Sequence, residues 1–245
     1  MPERLPRNTR DPPVEGVREP SLQAPVEVIV AVSPTELRRL LDRALASGRP
    51  HVEQLTVAAA VISEVLRQEG MVATLVGGGA IEFHASELYT TSDLDLVVEG
   101  RPRREVDRVL TAFGFARRGR HWVLGDLFVE VPGHVMTDPV EVVPVDFLTL
   151  RVVRREVVLA DRIIGFKHWG ATAYGAQAVA LLALFGHALD EDLLRDRVRR
   201  EGAEDALAAL REVAAAGGAV SEGALQALRA RLVSRGDTGN EEGAR

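Results

Sequence analysis

The sequence predicts an α/β fold, in which a small mixed β-sheet with flanking helices is followed by a helical C-terminal part. Two observations carry this prediction. Short β-branched runs alternate with helical patterns up to about residue 160, and glycine or proline separates the segments. Beyond residue 160 the pattern is helical throughout. We therefore expect an α/β domain over residues 26–159 and a helical C-terminal domain over residues 160–235.

The composition is that of a globular chain without membrane or disulfide chemistry. Of the 245 residues, 46% are hydrophobic and only 4% are aromatic, so the core should consist mainly of Val, Leu and Ala. No apolar run is long enough to span a membrane, and no apolar segment typical of a secretory signal opens the chain. The absence of cysteine excludes thiol catalysis and zinc–thiolate sites. We expect a cytoplasmic protein without a membrane partner.

The net charge of −6 argues against a dedicated binder of duplex DNA, which would carry a basic field. The two ends of the chain are predicted to be disordered tails, over residues 1–25 and 236–245. The first tail holds six of the twelve prolines, and the second is rich in glycine and charged residues. After the first tail, the β-branched run at residues 26–32 predicts a short strand or a docked arm.

The first two helices are predicted from the signals at their ends. Ser33 as N-cap, Pro34 at the first helical position and Glu36 two residues later indicate a helix that runs to about residue 46. The second helix covers residues 52–68, where apolar residues recur at helical spacing, and Gly70 ends it.

The stretch from residue 72 to residue 98 carries the chemistry. A short apolar strand at residues 72–76 ends in three glycines, and a helix is predicted over residues 80–88. The segment Ser92-Asp93-Leu94-Asp95 then leads into a second apolar strand. Successive side chains of a strand point to opposite faces, so Asp93 and Asp95 share one face. Two carboxylates on one face repel each other unless a cation lies between them, and Mg²⁺ prefers such oxygen ligands.

The glycines before this helix fit a phosphate. Gly77 and Gly78 allow backbone N–H groups to approach a phosphate closely, at the positive end of the following helix.

The rest of the chain is divided by its breakers. We predict a helix over residues 103–113, strands over residues 121–124, 127–131, 140–145, 147–153 and 156–159, and then helices over residues 161–169, 174–186, 191–201, 203–216 and 221–234.

The order of glycine turn, helix and Asp-x-Asp strand resembles the nucleotidyltransferase superfamily, and the matching residues are Gly77, Gly78, Asp93 and Asp95. The spacing is similar to that of the toxin–antitoxin-linked branch, the AbiEii-like and related nucleotidyltransferase-like proteins. Those proteins also carry an Asp-Arg, a His-Trp and a Gln-Ala pair, which stand here at residues 161–162, 168–169 and 177–178. The resemblance covers about residues 70–200.

The resemblance implies a nucleotidyltransferase-like α/β domain and a Mg²⁺- or Mn²⁺-dependent reaction. A nucleoside monophosphate would pass from an NTP to an acceptor hydroxyl on a protein, a tRNA or a small molecule, and an antitoxin partner is possible. Asp93 and Asp95 would bind the metal and serve catalysis. Gly77, Gly78 and Ser92 would bind the nucleotide.

A third carboxylate is expected on a strand beside these aspartates, because two-metal phosphoryl-transfer sites usually need one. Glu130 is the first candidate, since it is an acid among apolar residues late in a strand. Asp146 is the second candidate and Glu141 the third. Related sequences carry a Phe-x-x-Glu-hydrophobic-Pro element at this place. Phe128 does not fit its spacing, but Val129-Glu130-Val131-Pro132 does, which favours Glu130.

Lys167 is the only lysine of the chain, and we predict that its ammonium reaches the triphosphate from a helix packed over the sheet. For its neighbours we favour structural roles: Trp169 in the core, His168 as a hydrogen-bonded residue, and Asp161 as an N-cap. His84, on the helix after the glycines, is expected to be exposed.

One departure from the better-known toxin members weakens the inference of catalysis. Those proteins carry an acid on the helix after the lysine, whereas residues 175–179 contain no carboxylate. The alternative function is therefore a catalytically degenerate nucleotidyltransferase fold that acts as a nucleotide-binding or antitoxin-like partner protein.

Overall fold

The computed structural model describes residues 32–86, 88–217 and 220–238. The predicted N-terminal tail, residues 26–31 of the predicted arm and residues 239–245 lie outside these ranges. The last helix extends to Thr238, so residues 236–238 of the predicted C-terminal tail are helical.

Nine α-helices are present in the described ranges: α1 (Pro34–Leu45), α2 (His51–Gln68), α3 (Gly77–His84), α4 (Arg103–Phe113), α5 (Arg155–Trp169), α6 (Thr172–Phe185), α7 (Glu191–Arg200), α8 (Glu204–Ala216) and α9 (Glu222–Thr238). The strands are β1 (Val72–Val76), β2 (Asp93–Glu99), β3 (Ala116–Arg118), β4 (His121–Leu124), β5 (Leu127–Gly133), β6 (Val140–Val145) and β7 (Leu148–Val153).

The strands form one seven-stranded sheet in the order β3-β4-β5-β2-β1-β7-β6. The β2–β5 and β1–β7 pairs are parallel, and the other pairs are antiparallel. Helix α2 packs against β1 and β7, and α5 packs against α3 and the C-terminal helices α6 to α9. The mixed sheet, the flanking helices and the C-terminal helices confirm the predicted fold class.

The core consists mainly of buried Leu, Val and Ala side chains from the sheet and the helices, as the composition predicts. The start of α1 is also as predicted. Ser33 Oγ accepts from the Glu36 N–H at 3.3 Å, and Glu36 Oε2 accepts from the Ser33 N–H at 3.0 Å. This capping box satisfies two backbone donors that the helix leaves unpaired.

Two element predictions are wrong, and a third element was missed. The strand expected over residues 156–159 is the first part of α5, because Val157 to Ala160 are all buried and the run shows no polar alternation to mark a helix face. The helix after the glycines covers residues 77–84, so the glycines form its first turn. The third, an exposed strand over residues 116–118, was missed because it has no buried side chain.

The predicted domain boundary near residue 160 lies within α5, and the division into two domains stays a prediction. In the described ranges, no helix combines the length and apolar character needed to cross a bilayer.

Candidate active site

The site is organised by strand β2. Leu94 and Leu96 are fully buried, whereas Asp93 and Asp95 are half-buried on the other face, as the alternation predicts. Two neighbouring strands meet β2 here. In the antiparallel β1, Val76 pairs with Asp95, so the first glycine of α3 follows directly beside the Asp95 carboxylate.

The parallel strand β5 brings the third carboxylate. Glu130 is the register partner of Asp95, and it is half-buried between the buried Val129 and Val131. Asp146 follows β6 and Glu141 lies on it, and β6 is separated from β2 by β1 and β7. Of the three candidates, the fold therefore places Glu130 beside the aspartates.

His121 joins these carboxylates and was not identified from the sequence. It is the register partner of Glu130 in the antiparallel β4–β5 pair. One ligand atom each from Asp93, His121 and Glu130 lies within 4.8 Å of the others. His121 Nε2 is 3.4 Å from Glu130 Oε2 and 4.0 Å from Asp93 Oδ2. Only the strand pairing reveals this residue, because 28 positions separate it from Asp93 in the sequence.

An arginine also contacts this group. The Arg120 Nε is 3.1 Å from Glu130 Oε2, and it donates a hydrogen bond to His121 Nε2 at 3.3 Å. The Arg120 side chain is 69% exposed, so its guanidinium lies at the open side of the cluster. It supplies positive charge to the carboxylates from the solvent side.

The start of α3 fits closely around Asp95. The Gly78 N–H donates to Asp95 Oδ2 at 3.3 Å. Gly77 has φ +58°, and a Cβ there would lie 2.2 Å from Asp95 Oδ2. A Cβ at Gly78 would lie 2.7 Å from Thr91 Oγ1. A larger residue at either position would therefore clash with the neighbouring side chain, and at Gly77 it would also have to adopt a positive φ that favours glycine.

The surroundings of Asp95 disfavour the ionised form of its carboxyl group. Burial raises the pKa of its carboxyl above the ordinary value, and the nearby charge of Asp93 raises this pKa further. The Gly78 N–H lowers it, Glu130 adds to the rise, and the positive charge of Arg162 lowers it. Acids crowded in this way are stabilised by a bound cation.

A buried carboxylate on α3 supports the site through a chain of hydrogen bonds that reaches Asp93. Glu82 on α3 is 2% exposed, and its Oε2 accepts from the Thr91 N–H at 2.7 Å. Its Oε1 lies 2.7 Å from His51 Nδ1. The Thr91 hydroxyl in turn donates to Asp93 Oδ1 at 3.1 Å. This chain of hydrogen bonds positions the Asp93 carboxylate, and no sequence pattern predicts it.

Arg162 on α5 is a positive charge that lowers the pKa of the Asp95 carboxyl. Its guanidinium lies 4.4 Å from the centre of the Tyr174 ring, and its Nε is buried without a hydrogen-bond partner among the described residues. An incompletely paired, half-buried guanidinium is suited to an anionic ligand.

Lys167 and Ser92 have other surroundings. The Lys167 ammonium donates to the Gly202 carbonyl and to the Asp205 carboxylate, which lie after α7 and on α8. Ser92 is exposed and lines a cavity of about 330 Å³ that also includes His51 and Asp126. Nucleotide binding by Lys167 and Ser92 stays a prediction.

The expectations for four further residues have mixed outcomes. Trp169 is 72% exposed rather than in the core, and its ring meets Tyr174 edge-on. Asp161 is not an N-cap, because α5 begins six residues earlier, and its carboxylate accepts from Arg197 at 2.9 Å.

His84 is not exposed, since its side chain is buried and its Nε2 lies 2.8 Å from the Val153 carbonyl oxygen. The structural role of His168 is confirmed by a 2.8 Å contact between its Nε2 and the Glu201 carbonyl oxygen.

No protein-family model and no curated protein matches the sequence. Among solved structures, the chain is similar to an antigenic nucleotidyltransferase-like protein from Paracoccidioides brasiliensis, at 13% identity and a TM-score of 0.45, over 64% of this chain and 92% of that one. It is also similar to the antibiotic-resistance factor ANT(2'')-Ia, at 14% identity and a TM-score of 0.42, over 76% of this chain and all of that one. Both likenesses are distant, so function has to follow from the site's own residues.

Proposed function

We propose that the chain is a divalent-metal-dependent nucleotidyltransferase that moves a nucleoside monophosphate from an NTP to an acceptor hydroxyl. The observation that carries the proposal is the meeting of Asp93, Asp95 and Glu130 on paired strands beside the glycine start of α3. This arrangement sets metal ligands next to backbone N–H donors for a phosphate. It also agrees with the sequence resemblance to the AbiEii-like branch.

The residues present fit Mg²⁺ or Mn²⁺. The carboxylates supply hard oxygen ligands, and a cation would offset both the burial of Asp95 and the nearby charge of Asp93, which together raise the pKa of Asp95. Asp93, Asp95 and Glu130 would hold the metal. When bound, it would neutralise triphosphate charge and polarise the phosphoryl group.

The triphosphate would lie at the start of α3. A Cβ at Gly77 or Gly78 would meet Asp95 or Thr91, so this turn lies directly beside the carboxylates, and the helix N-terminus favours negative charge. Arg162 is the second proposed phosphate contact, because its guanidinium lacks a partner at Nε and its charge acts on Asp95. Lys167 is less suited to this role, since its ammonium already has two acceptors among the C-terminal helices.

In the proposed reaction, the acceptor oxygen forms a bond to the α-phosphorus of the NTP, the bond from that phosphorus to the bridging oxygen breaks, and pyrophosphate leaves. The hydroxyl proton passes to solvent. The protein's contribution is to position the reactants and to stabilise developing charge. The acceptor class is a protein, a tRNA or a small molecule, and an antitoxin remains a proposed partner.

A second candidate is a degenerate nucleotidyltransferase fold that binds a nucleotide or a partner protein without catalysis. Two observations favour it: residues 175–179 contain no carboxylate, and the Arg120 guanidinium lies against Glu130. Catalysis transfers a nucleotide to an acceptor and releases pyrophosphate, whereas binding alone does neither, so an experiment can distinguish the two candidates.

The test is transfer of radiolabel from NTPs carrying phosphorus label at either the α or the γ position. The wild-type chain and the Asp93→Asn variant are incubated with Mg²⁺ or Mn²⁺, total tRNA and total protein. Enzymatic nucleotidyl transfer labels an acceptor from the α position only, and Asp93→Asn abolishes it. Metal-dependent NTP binding with no labelled acceptor and no pyrophosphate release would favour the degenerate fold.

A further inference from the structure

Strand β4, which pairs with β5, carries a further candidate ligand of the carboxylate site. We propose that His121 Nε2 binds the same divalent cation as Asp93 and Glu130, so that the site is a mixed nitrogen–oxygen site that prefers Mn²⁺ to Mg²⁺. This inference rests on the proposed function, because it concerns the metal that serves that reaction. His121 is a ligand that the carboxylate pattern of the sequence does not predict.

The first support is the register of three strands. His121 lies directly opposite Glu130, and residues directly opposite each other in an antiparallel pair have side chains on the same face. The next positions, Trp122 and Val129, are fully buried on the core face. The sheet therefore directs His121 and Glu130 away from the core together, towards the face that carries Asp93.

The second support is distance. Ligand atoms about 2.1 Å from one metal ion can be at most about 4.2 Å apart. His121 Nε2 is 3.4 Å from Glu130 Oε2 and 4.0 Å from Asp93 Oδ2, so both separations already fall within this limit. Asp95 lies outside this close group of three, and its Oδ2 accepts from the Gly78 N–H, so its proposed metal contact would use the other carboxylate oxygen.

The third support is the tautomer of the imidazole. Arg120 Nε–H donates to His121 Nε2, which places the lone pair of the ring on Nε2 and assigns the proton to Nδ1. A metal ligand needs the same lone pair on the same atom. The Phe128 ring meets the imidazole edge-on, with the centroids 6.2 Å apart.

Arg120 would then compete with the metal, since its guanidinium contacts two of the three proposed ligands. Imidazole nitrogen suits transition metals, whereas Mg²⁺ prefers oxygen ligands. The expected affinity therefore rises from Mg²⁺ to Mn²⁺, and Arg120→Ala should raise the affinity for both ions.

The test is pulsed EPR of Mn²⁺ bound to the full-length protein, together with calorimetry. Wild type should show electron spin echo modulation from a coordinated nitrogen, and His121→Ala should lose this signal. The variant should also bind Mn²⁺ at least about 10-fold more weakly, with a smaller loss for Mg²⁺. His187→Ala removes an exposed histidine outside the ligand group and serves as the matched control, with wild-type behaviour expected.

The wild-type spectrum alone keeps the test decisive if His121→Ala fails to fold. Bound Mn²⁺ that requires Asp93 but shows no nitrogen modulation would overturn the role of His121 and leave the proposed function standing. No Mn²⁺ binding by the wild-type chain, with or without ATP, would overturn both.

Discussion

Two glycines with nearly the same positive φ allow the contact at Asp95 to be isolated. Gly77 has φ +58° and Gly125 has φ +59°. A Cβ at Gly77 would lie 2.2 Å from Asp95 Oδ2, whereas a Cβ at Gly125 would have no atom within 4 Å. Alanine at either position meets the same left-handed backbone penalty, so the difference between the two variants reports the overlap with the carboxylate.

The magnitudes follow from these geometries. The left-handed conformation costs an alanine about 1–2 kcal/mol, which is the whole effect expected for Gly125→Ala. Gly77→Ala must also move the Asp95 side chain, with overpacking of about 1–3 kcal/mol. Loss of the hydrogen bond from Gly78 to this carboxylate adds about 1.5 kcal/mol. Gly77→Ala should therefore be about 2.5–4.5 kcal/mol more destabilising than Gly125→Ala.

The assay is urea unfolding of both variants and of wild type without metal, followed by calorimetric titration with Mn²⁺. Gly77→Ala should show the larger loss of stability and weaker Mn²⁺ binding, while Gly125→Ala should bind Mn²⁺ as wild type does. Equal losses of stability in the two variants would refute the close contact between the start of α3 and Asp95.

Three further predictions test the surroundings of the site. In Glu82→Gln, the amide NH₂ replaces one carboxylate oxygen that faces His51 or the Thr91 N–H, so a hydrogen bond is lost. The free energy of unfolding should fall by about 1–3 kcal/mol in urea unfolding, and Mn²⁺ affinity should fall about 10-fold in calorimetry. Unchanged values in both measurements would contradict the supporting role of Glu82. Because the folded pKa of Asp95 is raised, its stabilising contribution is full below the ordinary value of 3.8 and is lost as pH rises through the raised value. Metal-free Asp95→Asn should thus lose less stability than wild type as pH rises from 3.8, whereas parallel curves in urea unfolding would argue against the raised pKa. In a double-mutant cycle, Lys167→Ala and Asp205→Asn should show a coupling of about 0.5–1 kcal/mol between their effects on stability. Both variants should bind ATP as wild type does. Weaker ATP binding by Lys167→Ala alone would instead support a nucleotide-binding role for Lys167.

Local patterns predicted the parts of the site that lie close together in sequence. The alternation of Asp93, Leu94, Asp95 and Leu96 was enough to place both carboxylates on one face, because side-chain direction in a strand depends only on the count of residues. The boundaries of β1, β6 and α4 were predicted correctly for similar reasons, since a β-branched run or a helical repeat ended in a clear breaker.

Strand order is not encoded in such patterns, which is why the third carboxylate stayed open between Glu130, Asp146 and Glu141. The parallel pairing of β2 with β5 brings Glu130 to Asp95 and leaves β6 two strands further away. The same long-range pairing brings His121 into the cluster, and no local feature of its sequence indicated this.

Helix packing accounts for the remaining differences. Helical periodicity can assign Lys167 to a face of α5, but the neighbour on that face is decided by how α8 packs, and the ammonium pairs with Asp205 there. Trp169 was expected in the core, yet it lies in the last turn of α5 and is exposed. Its position depends on where the helix ends against its neighbours, which the sequence alone does not show.

The central claim is that Asp93, Asp95 and Glu130 form a divalent-metal site, and its most direct test is calorimetric titration of Mn²⁺ into wild type and Asp93→Asn. Wild type should bind Mn²⁺, and the variant should lose at least about 10-fold in affinity while its urea unfolding midpoint in the absence of metal stays equal or rises, because a repelling charge has been removed. An Asp93→Asn variant that keeps its fold and binds Mn²⁺ with wild-type affinity would contradict the claim.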